Sequence, residues 1–495
     1  MDALGYAWLV RRFGLKVRPL QHSSFVGASP LRKERRDGSV EEHFIKRYDP
    51  GPEPLEQLVF ALKRDGLDPD TMGKVFVHIP CETVAEFVER KPSGKYTRQI
   101  GFWYEFLTGE EVPLRTKIST NYTPLLDPDR YVVAPNPTRE ARWCLTKNLI
   151  GDRRFAPIIR KTPAIREIEE TDWKAMIEEV VRPFPADLLR RALNYLYAKE
   201  TKSSFAIERE EATGSKAERF MAVLRRAGSE DDPLDEGFLT RVQNVVVDER
   251  YREKGYRRNL QNFVGETTIT GSIVHLIGCP PSYLQDVMEG LEAWFGGSEG
   301  LHAVLRAAAI SFPFVFLHPF EDGNGRIHRY LIHDIMARRG IGGEELLIPV
   351  SSEILADLKA YDTCLERFSK PLLSVADYHF AGDGELIVEN PDEIEGCYRY
   401  PDVTAQAEYL ARMVKQAIRD SLTDEVRFLD RFDRVRRRIE EIVSMPDRKR
   451  DSLINRLHRN GGKLGKKRRE GEFKELTDDE IDRIEAVFAE VFLEG

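Results

Sequence analysis

The sequence predicts a mainly α-helical protein with one small β-hairpin, and two observations predict it. Apolar residues recur at helical spacing in segment after segment, at 55–62, 84–90, 282–295, 326–338 and 404–443, and 301–317 is almost wholly apolar. The β-branched residues instead gather in one short run, 267–277, broken by Gly271, which reads as a hairpin.

Along the chain the elements fall in order. Residues 1–50 are basic and irregular, with a cluster at 32–36. Helical stripes alternate with short loops over 54–112, and the Pro-, Asn- and Asp-rich stretch 113–137 holds one strand, Tyr131-Val132-Val133. Segment 173–225 carries a helix from about Ala186, and 228–236 is a polar connection. The helix at 282–295 buries Leu284, Val287, Met288 and Leu291. The apolar run 301–317, bent by Pro313, is a buried helix. Ile327, Tyr330, Leu331, Ile332, Ile335 and Met336 set the buried stripe of the next one. Helix follows at 351–369, then a Gly382-Asp383-Gly384 turn between strand-like residues, the amphipathic stretch 404–443, and helices at 450–458 and 477–492. The expected units are an N-terminal accessory domain at 1–172, a helical segment at 173–227, a core at 228–350 and a helical C-terminal region at 351–495.

Composition bounds the setting. At 495 residues, 41% hydrophobic and 32% charged, the chain has room for more than one buried core. A net charge of -8 argues against a general nucleic-acid coat. The cysteines, Cys81, Cys144, Cys279, Cys364 and Cys397, form no C-x-x-C pair, and no secretory signal or membrane-length apolar run is present. A reducing cytoplasm is the expected location. Basic residues 448–450 and 466–469 could form a DNA-binding, winged-helix-like unit; a solvated basic face offset by the acidic helix 478–490 is the preferred reading.

Chemistry concentrates in twelve residues, His318-Pro319-Phe320-Glu321-Asp322-Gly323-Asn324-Gly325-Arg326-Ile327-His328-Arg329. They join the two core helices through a loop that closes on the amino terminus of the second. Gly323 and Gly325 permit backbone angles that let successive N–H groups converge on an anion, and the helix dipole adds to the attraction. Arg326 and Arg329 share a helical face and present two guanidinium forks to phosphate. Asp322 is a hard oxygen ligand suited to Mg²⁺. His318 has the intrinsic basicity of a general base. Phe320 and Pro319 are expected to hold the loop, and His328 and His333 to stand outside the chemistry. No Walker A loop or H-E-x-x-H motif competes.

This stretch resembles the Fic family motif, His-x-Phe-x-(Asp/Glu)-Gly-Asn-Gly-Arg-x-x-Arg, at every defined position. The resemblance implies an all-helical core and transfer of AMP from ATP to a Ser, Thr or Tyr hydroxyl of a target protein. His318 would be the base and Asp322 would hold Mg²⁺. Asn324 and the N–H groups around Gly323 and Gly325 would form the anion hole. Arg326 would take the β-phosphate and Arg329 the γ-phosphate. Gly325 separates the chain from the Doc-like branch, which carries Lys there and transfers phosphate. Residues 203–208 resemble the family's inhibitory motif, (Ser/Thr)-x-x-x-Glu-(Gly/Asn), with Ser204 and Glu208 four apart. Glu208 would then pair with Arg329. Arg209 departs from the motif, and with no Gly or Asn there the helix is expected to run on through Glu210 and Glu211. The hairpin near 263–277 resembles the family's flap, which holds a target segment by strand addition. Two other functions fit the same residues: hydrolytic removal of AMP from a modified protein, and a nucleotide-sensing regulator that binds DNA through its tail. A homo-oligomer is left open.

Overall fold

The computed structural model describes residues 2–35, 38–268, 271–342, 346–382 and 384–492. Helices dominate it, and the described strands form sheets of two to four members. Buried apolar side chains gather into three larger cores, one within residues 6–158 joined by Tyr400, one spanning 150–429, and one within 435–491. Segments 173–227, 228–350 and 351–429 thus contribute to a single core.

The described residues of the first fifty form a sheet, contrary to the irregular segment expected. Strands Ala3–Leu4, His22–Val26, Val40–Phe44 and Leu31–Glu34 lie side by side in that order. The charges that gave this stretch its irregular look sit opposite one another: Arg32 faces Glu42 and Lys33 faces Glu41, each pair 3.8 Å apart. Opposite charges in register stabilise neighbouring strands. Helix Pro54–Arg64 packs beside the sheet, and Lys95–Thr108 packs on that helix and on Pro69–Phe76 and Cys81–Arg90. Pro69–Phe76 starts cleanly because Asp68 accepts the Thr71 N–H and Pro69 supplies a preset first turn. Tyr131-Val132-Val133 is not a strand: Tyr131 makes one isolated bridge to Arg160, and its hydroxyl accepts the Leu67 N–H at 2.8 Å. The sheet in this region is Thr123–Pro124, Leu145–Lys147 and Thr138–Glu140.

The middle core is built around Ala303–Leu317, every residue of which is buried. Ala307, Ala308 and Ala309 leave room for close neighbours, and the helix packs on Asn324–Ala337 and Thr404–Gln416. Pro313 lies inside it, and the helix continues to Leu317. Around these stand Ala186–Ile207, Gly214–Arg225, Glu236–Val246 and Pro281–Gly297. The helix expected over 351–369 is two, Val350–Ala356 and Leu358–Leu373, parted at Asp357, whose carboxylate caps the second at Ala360. Tyr378–Phe380 pairs with Leu386–Val388; Asp383 of the expected turn lies outside the described residues.

Segment 156–162 runs beside 399–404, with the Ala156 N–H on the Arg399 carbonyl, the Val403 N–H on the Ile158 carbonyl, and Arg160 on Asp402 at 2.6 Å. This seam ties the N-terminal core to the middle one. Beyond Thr404–Gln416 the chain continues through a π-helical turn into Thr423–Ile442, which joins Asp447–Arg459 and Asp478–Phe492 in the tail core. No strand occurs among the described residues after 388, so the wing of a winged helix is absent there. The basic tail faces acids instead: Arg469 meets Glu485 at 2.7 Å, Lys463 meets Glu485 at 2.9 Å and Lys449 meets Glu475 at 2.5 Å. No described helix is long and apolar enough to cross a membrane.

Candidate active site

His318 ends the buried helix in a left-handed conformation, φ 53° and ψ 56°, rare for a side chain larger than glycine's. The surrounding contacts hold it there. Asn262 donates its amide to the carbonyls of His318, at 2.7 Å, and Phe320, at 3.1 Å. The Cys279 N–H bonds the Leu317 carbonyl, and the Arg257 N–H bonds the Pro319 carbonyl. Nδ1 of His318 lies 3.2 Å from the Val315 carbonyl. With Nδ1 as the donor in that contact, Nε2 is left as an acceptor, the tautomer a base needs. Burial pushes this imidazole below its ordinary pKa, and the Val315 carbonyl, Glu208 and Asp322 recover only part of the shift.

Past Phe320, which is fully buried, the loop turns through Gly323 at φ 92° and enters Asn324–Ala337. A side chain at Gly323 would be strained there. No side chain caps this helix start, so its first N–H groups stand free of helical partners. Asn324, expected in the anion hole, turns its side chain inward. Its amide donates to the Phe320 carbonyl at 2.7 Å and its oxygen accepts the Phe320 N–H at 3.1 Å. Both polar ends are used in closing the loop, which leaves the backbone N–H as the group available to an anion. Gly325 lies within the helix, and a Cβ there would meet the Glu208 carboxylate, which would have to shift.

Both arginines are buried, each 1% exposed. Arg326 donates to Asp322 at 2.7 Å, to Glu210 at 2.9 Å and to the Val246 carbonyl at 2.7 Å. Arg329 donates to the Ser204 hydroxyl at 2.8 Å, the Ser204 carbonyl at 2.7 Å and Glu208 at 2.8 Å. Sequence placed Ser204, Glu208 and Arg329 together, and the fold brings them into direct contact. Asp322 is half-exposed at the loop. Among the described residues no group of three or more His, Cys, Asp or Glu is arranged to hold a metal. A lone accessible carboxylate suits Mg²⁺, which keeps several waters and takes further ligands from substrate phosphates.

The helix carrying Ser204 and Glu208 stops where the sequence argued it would continue. Ala186–Ile207 ends with Glu208 as its cap, and Arg209 takes φ 58°, the left-handed setting usually given to Gly or Asn. The Arg209 N–H returns to the Ala206 carbonyl and the Glu210 N–H to the Phe205 carbonyl, a Schellman closure. The missing Gly or Asn pointed to continuation; instead the left-handed Arg209 lays Glu208 on Arg329 and Glu210 on Arg326.

Residues 233–336 match the sequence model of the Fic/DOC family. This segment is a Fic domain. Over longer stretches the chain is similar to protein adenylyltransferase fic-1 of Caenorhabditis elegans, 27% identical over 142 residues, which are 28% of this chain and 26% of that protein. It is also similar to protein adenylyltransferase Fic of Nematostella vectensis, 26% identical over 282 residues, 50% of this chain and 63% of that protein. The chain therefore spans between about a quarter and just under two thirds of these curated relatives. Among solved structures, a Fic family protein from Desulfovibrio desulfuricans G20 aligns with a TM-score of 0.40 and 18% identity, over 61% of this chain and 89% of that one.

At the edge of the Fic domain's loop, Phe263–Thr268 pairs with Gly271–Ile277 in an antiparallel hairpin, with an irregular register at Val264/Gly265. Residues 269 and 270 lie outside the described residues. Val264 and Ile273 are exposed on it, and its base is pinned by the Tyr398 hydroxyl on the carbonyls of Ile277 and Gly278. Several supporting residues escaped the sequence reading. Asn262, one residue before the hairpin, carried no signal of its own. Glu200 lies two helical turns before Glu208 and meets His333 at 2.7 Å and the Ser351 N–H at 2.9 Å, all buried. His333 thus anchors the helix that carries Ser204. His328 is buried against the Ser311 carbonyl, and burial pushes its pKa down to about 3. The i, i+4, i+8 spacing of Glu200, Ser204 and Glu208 was the one available signal for this polar seam.

Proposed function

We propose that the chain is a protein adenylyltransferase: its Fic domain transfers AMP from ATP to a Ser, Thr or Tyr hydroxyl of a target protein, and Glu208 restrains it. The observation that carries this is the contact set of Arg329, which gives its guanidinium to Ser204 and Glu208. An arginine that binds phosphate in one state and an internal carboxylate in another is a switch.

In the released state Arg326 and Arg329 bind the β- and γ-phosphates, and the free N–H groups at the start of Asn324–Ala337 face the phosphate oxygens. Asp322 would hold Mg²⁺, which supplies charge neutralisation between the phosphates when bound. The hairpin 263–277 aligns a target strand through backbone bonds. His318 Nε2 takes the proton as the target hydroxyl forms its bond to the α-phosphorus. The bond to pyrophosphate breaks, and pyrophosphate leaves carrying the electron pair. Positioning and fixed charge supply most of the rate.

The test is adenylylation of added cell-lysate proteins, or of the enzyme itself, by mass spectrometry. Glu208→Gly should raise modification at least about tenfold, the scale of one lost charge-assisted contact. Adding His318→Ala should abolish it while ATP binding persists. Modification that ignores both substitutions removes this site from the reaction.

A further inference from the structure

Glu208 is not the only carboxylate laid on the paired arginines. Oε2 of Glu210 lies 2.9 Å from Nη1 of Arg326 and 3.7 Å from Nζ of Lys216. The left-handed Arg209 between them makes this possible. Had the helix continued, side chains 208 and 210 would point about 200° apart around its axis. The reversal at Arg209 aims both at one face, where Arg326 and Arg329 stand three residues apart. Phe205, on the same helix, lies under the Arg326 guanidinium at 5.2 Å.

We infer that Glu210 is a second clamp, holding Arg326 as Glu208 holds Arg329, and that Lys216 receives the Glu210 carboxylate when Arg326 is given up to nucleotide. This rests on Arg326 and Arg329 being the β- and γ-phosphate ligands. Arg326 is 1% exposed, and its Nη1 is taken by both Glu210 and the Val246 carbonyl, so a β-phosphate that binds Nη1 must displace one of them. A cation held by Asp322 would draw that carboxylate off Nη2, and movement of Glu210 opens Nη1. Lys216, on Gly214–Arg225, is the nearby cation that keeps the displaced carboxylate paired. Release of Glu208 alone therefore leaves the nucleotide site half closed.

The two clamps separate by nucleotide, because ADP has a β-phosphate and no γ-phosphate. Calorimetric titration of Mg·ATP and Mg·ADP into full-length wild type, Glu208→Gly, Glu210→Gln and the double variant reads them apart. Glu210 is partly exposed, so its amide replacement leaves the fold intact. Glu210→Gln should tighten ADP by about three- to tenfold, whereas Glu208→Gly should tighten ATP and move ADP by less than about twofold. Lys216→Gln should weaken ADP binding in the wild type and have no effect once Glu210 is Gln. Unchanged ADP affinity in Glu210→Gln, with ATP binding intact, overturns the second clamp. A gain that survives Arg326→Ala overturns it too, since Glu210 would then act elsewhere. If no variant binds either nucleotide, the phosphate reading of the arginines itself falls, and the clamp with it.

Discussion

His318 must be neutral to accept a proton, and burial lowers its pKa, so the neutral form persists to lower pH than for a free imidazole. In the Glu208→Gly variant the acid limb of the kcat/KM profile should therefore fall below about 6.5, the ordinary imidazole value. A limb above that value would mean that the base is another group or that His318 is exposed in the working state. At this scale the sequence was most legible where chemistry dictates spacing: His318, Asp322, Arg326 and Arg329 fall within one loop and one helix start. An amide beside a glycine nest can serve an anion or the loop itself, and only the fold shows both ends of the Asn324 side chain on Phe320, which leaves its backbone N–H for an anion. Asn262 and Glu210 were illegible as partners because they reach the motif from more than fifty residues away.

Among the elements, the end of Ala186–Ile207 sets the position of both carboxylates. Its left-handed Arg209 costs roughly 1–2 kcal/mol relative to a residue suited to that region. Its side chain is 88% exposed and only 3.9 Å from Glu266, too solvated a pair to compensate much. Arg209→Gly should then stabilise the protein by about 1 kcal/mol in urea unfolding while leaving the Glu208 contact in place. A loss of stability would show that Arg209 supports the clamp through its side chain. The buried helices at 303–317 and 324–337 could be read from apolar spacing because the core enforces it. The sheet of residues 3–44 could not, since its strands are stabilised by cross-strand charge pairs that look like a disordered basic segment in one dimension.

For the whole molecule, three cores joined by narrow seams predict stepwise unfolding. The tail core connects through Thr423–Ile442, and the N-terminal core through 156–162 against 399–404 and Pro69–Phe76 against Pro391–Arg399. Scanning calorimetry should give a calorimetric enthalpy well above the van't Hoff value, with more than one transition. A single two-state peak would mean that the seams are as cooperative as the cores. Boundaries at 172 and 350 follow changes in composition, whereas packing runs continuously from 150 to 429. Composition registers the solvent-facing residues between helices and is blind to which helices share an interior.

The central claim is adenylyl transfer restrained by a carboxylate on the second motif arginine. Its most direct test supplies Mg²⁺ and ATP labelled at the α- or the γ-phosphate to wild type, Glu208→Gly and Glu208→Gly/His318→Ala. Label should enter protein from the α-position alone, rise with Glu208→Gly and vanish with the added His318→Ala. Entry of γ-label, or α-label indifferent to Glu208, would contradict the account.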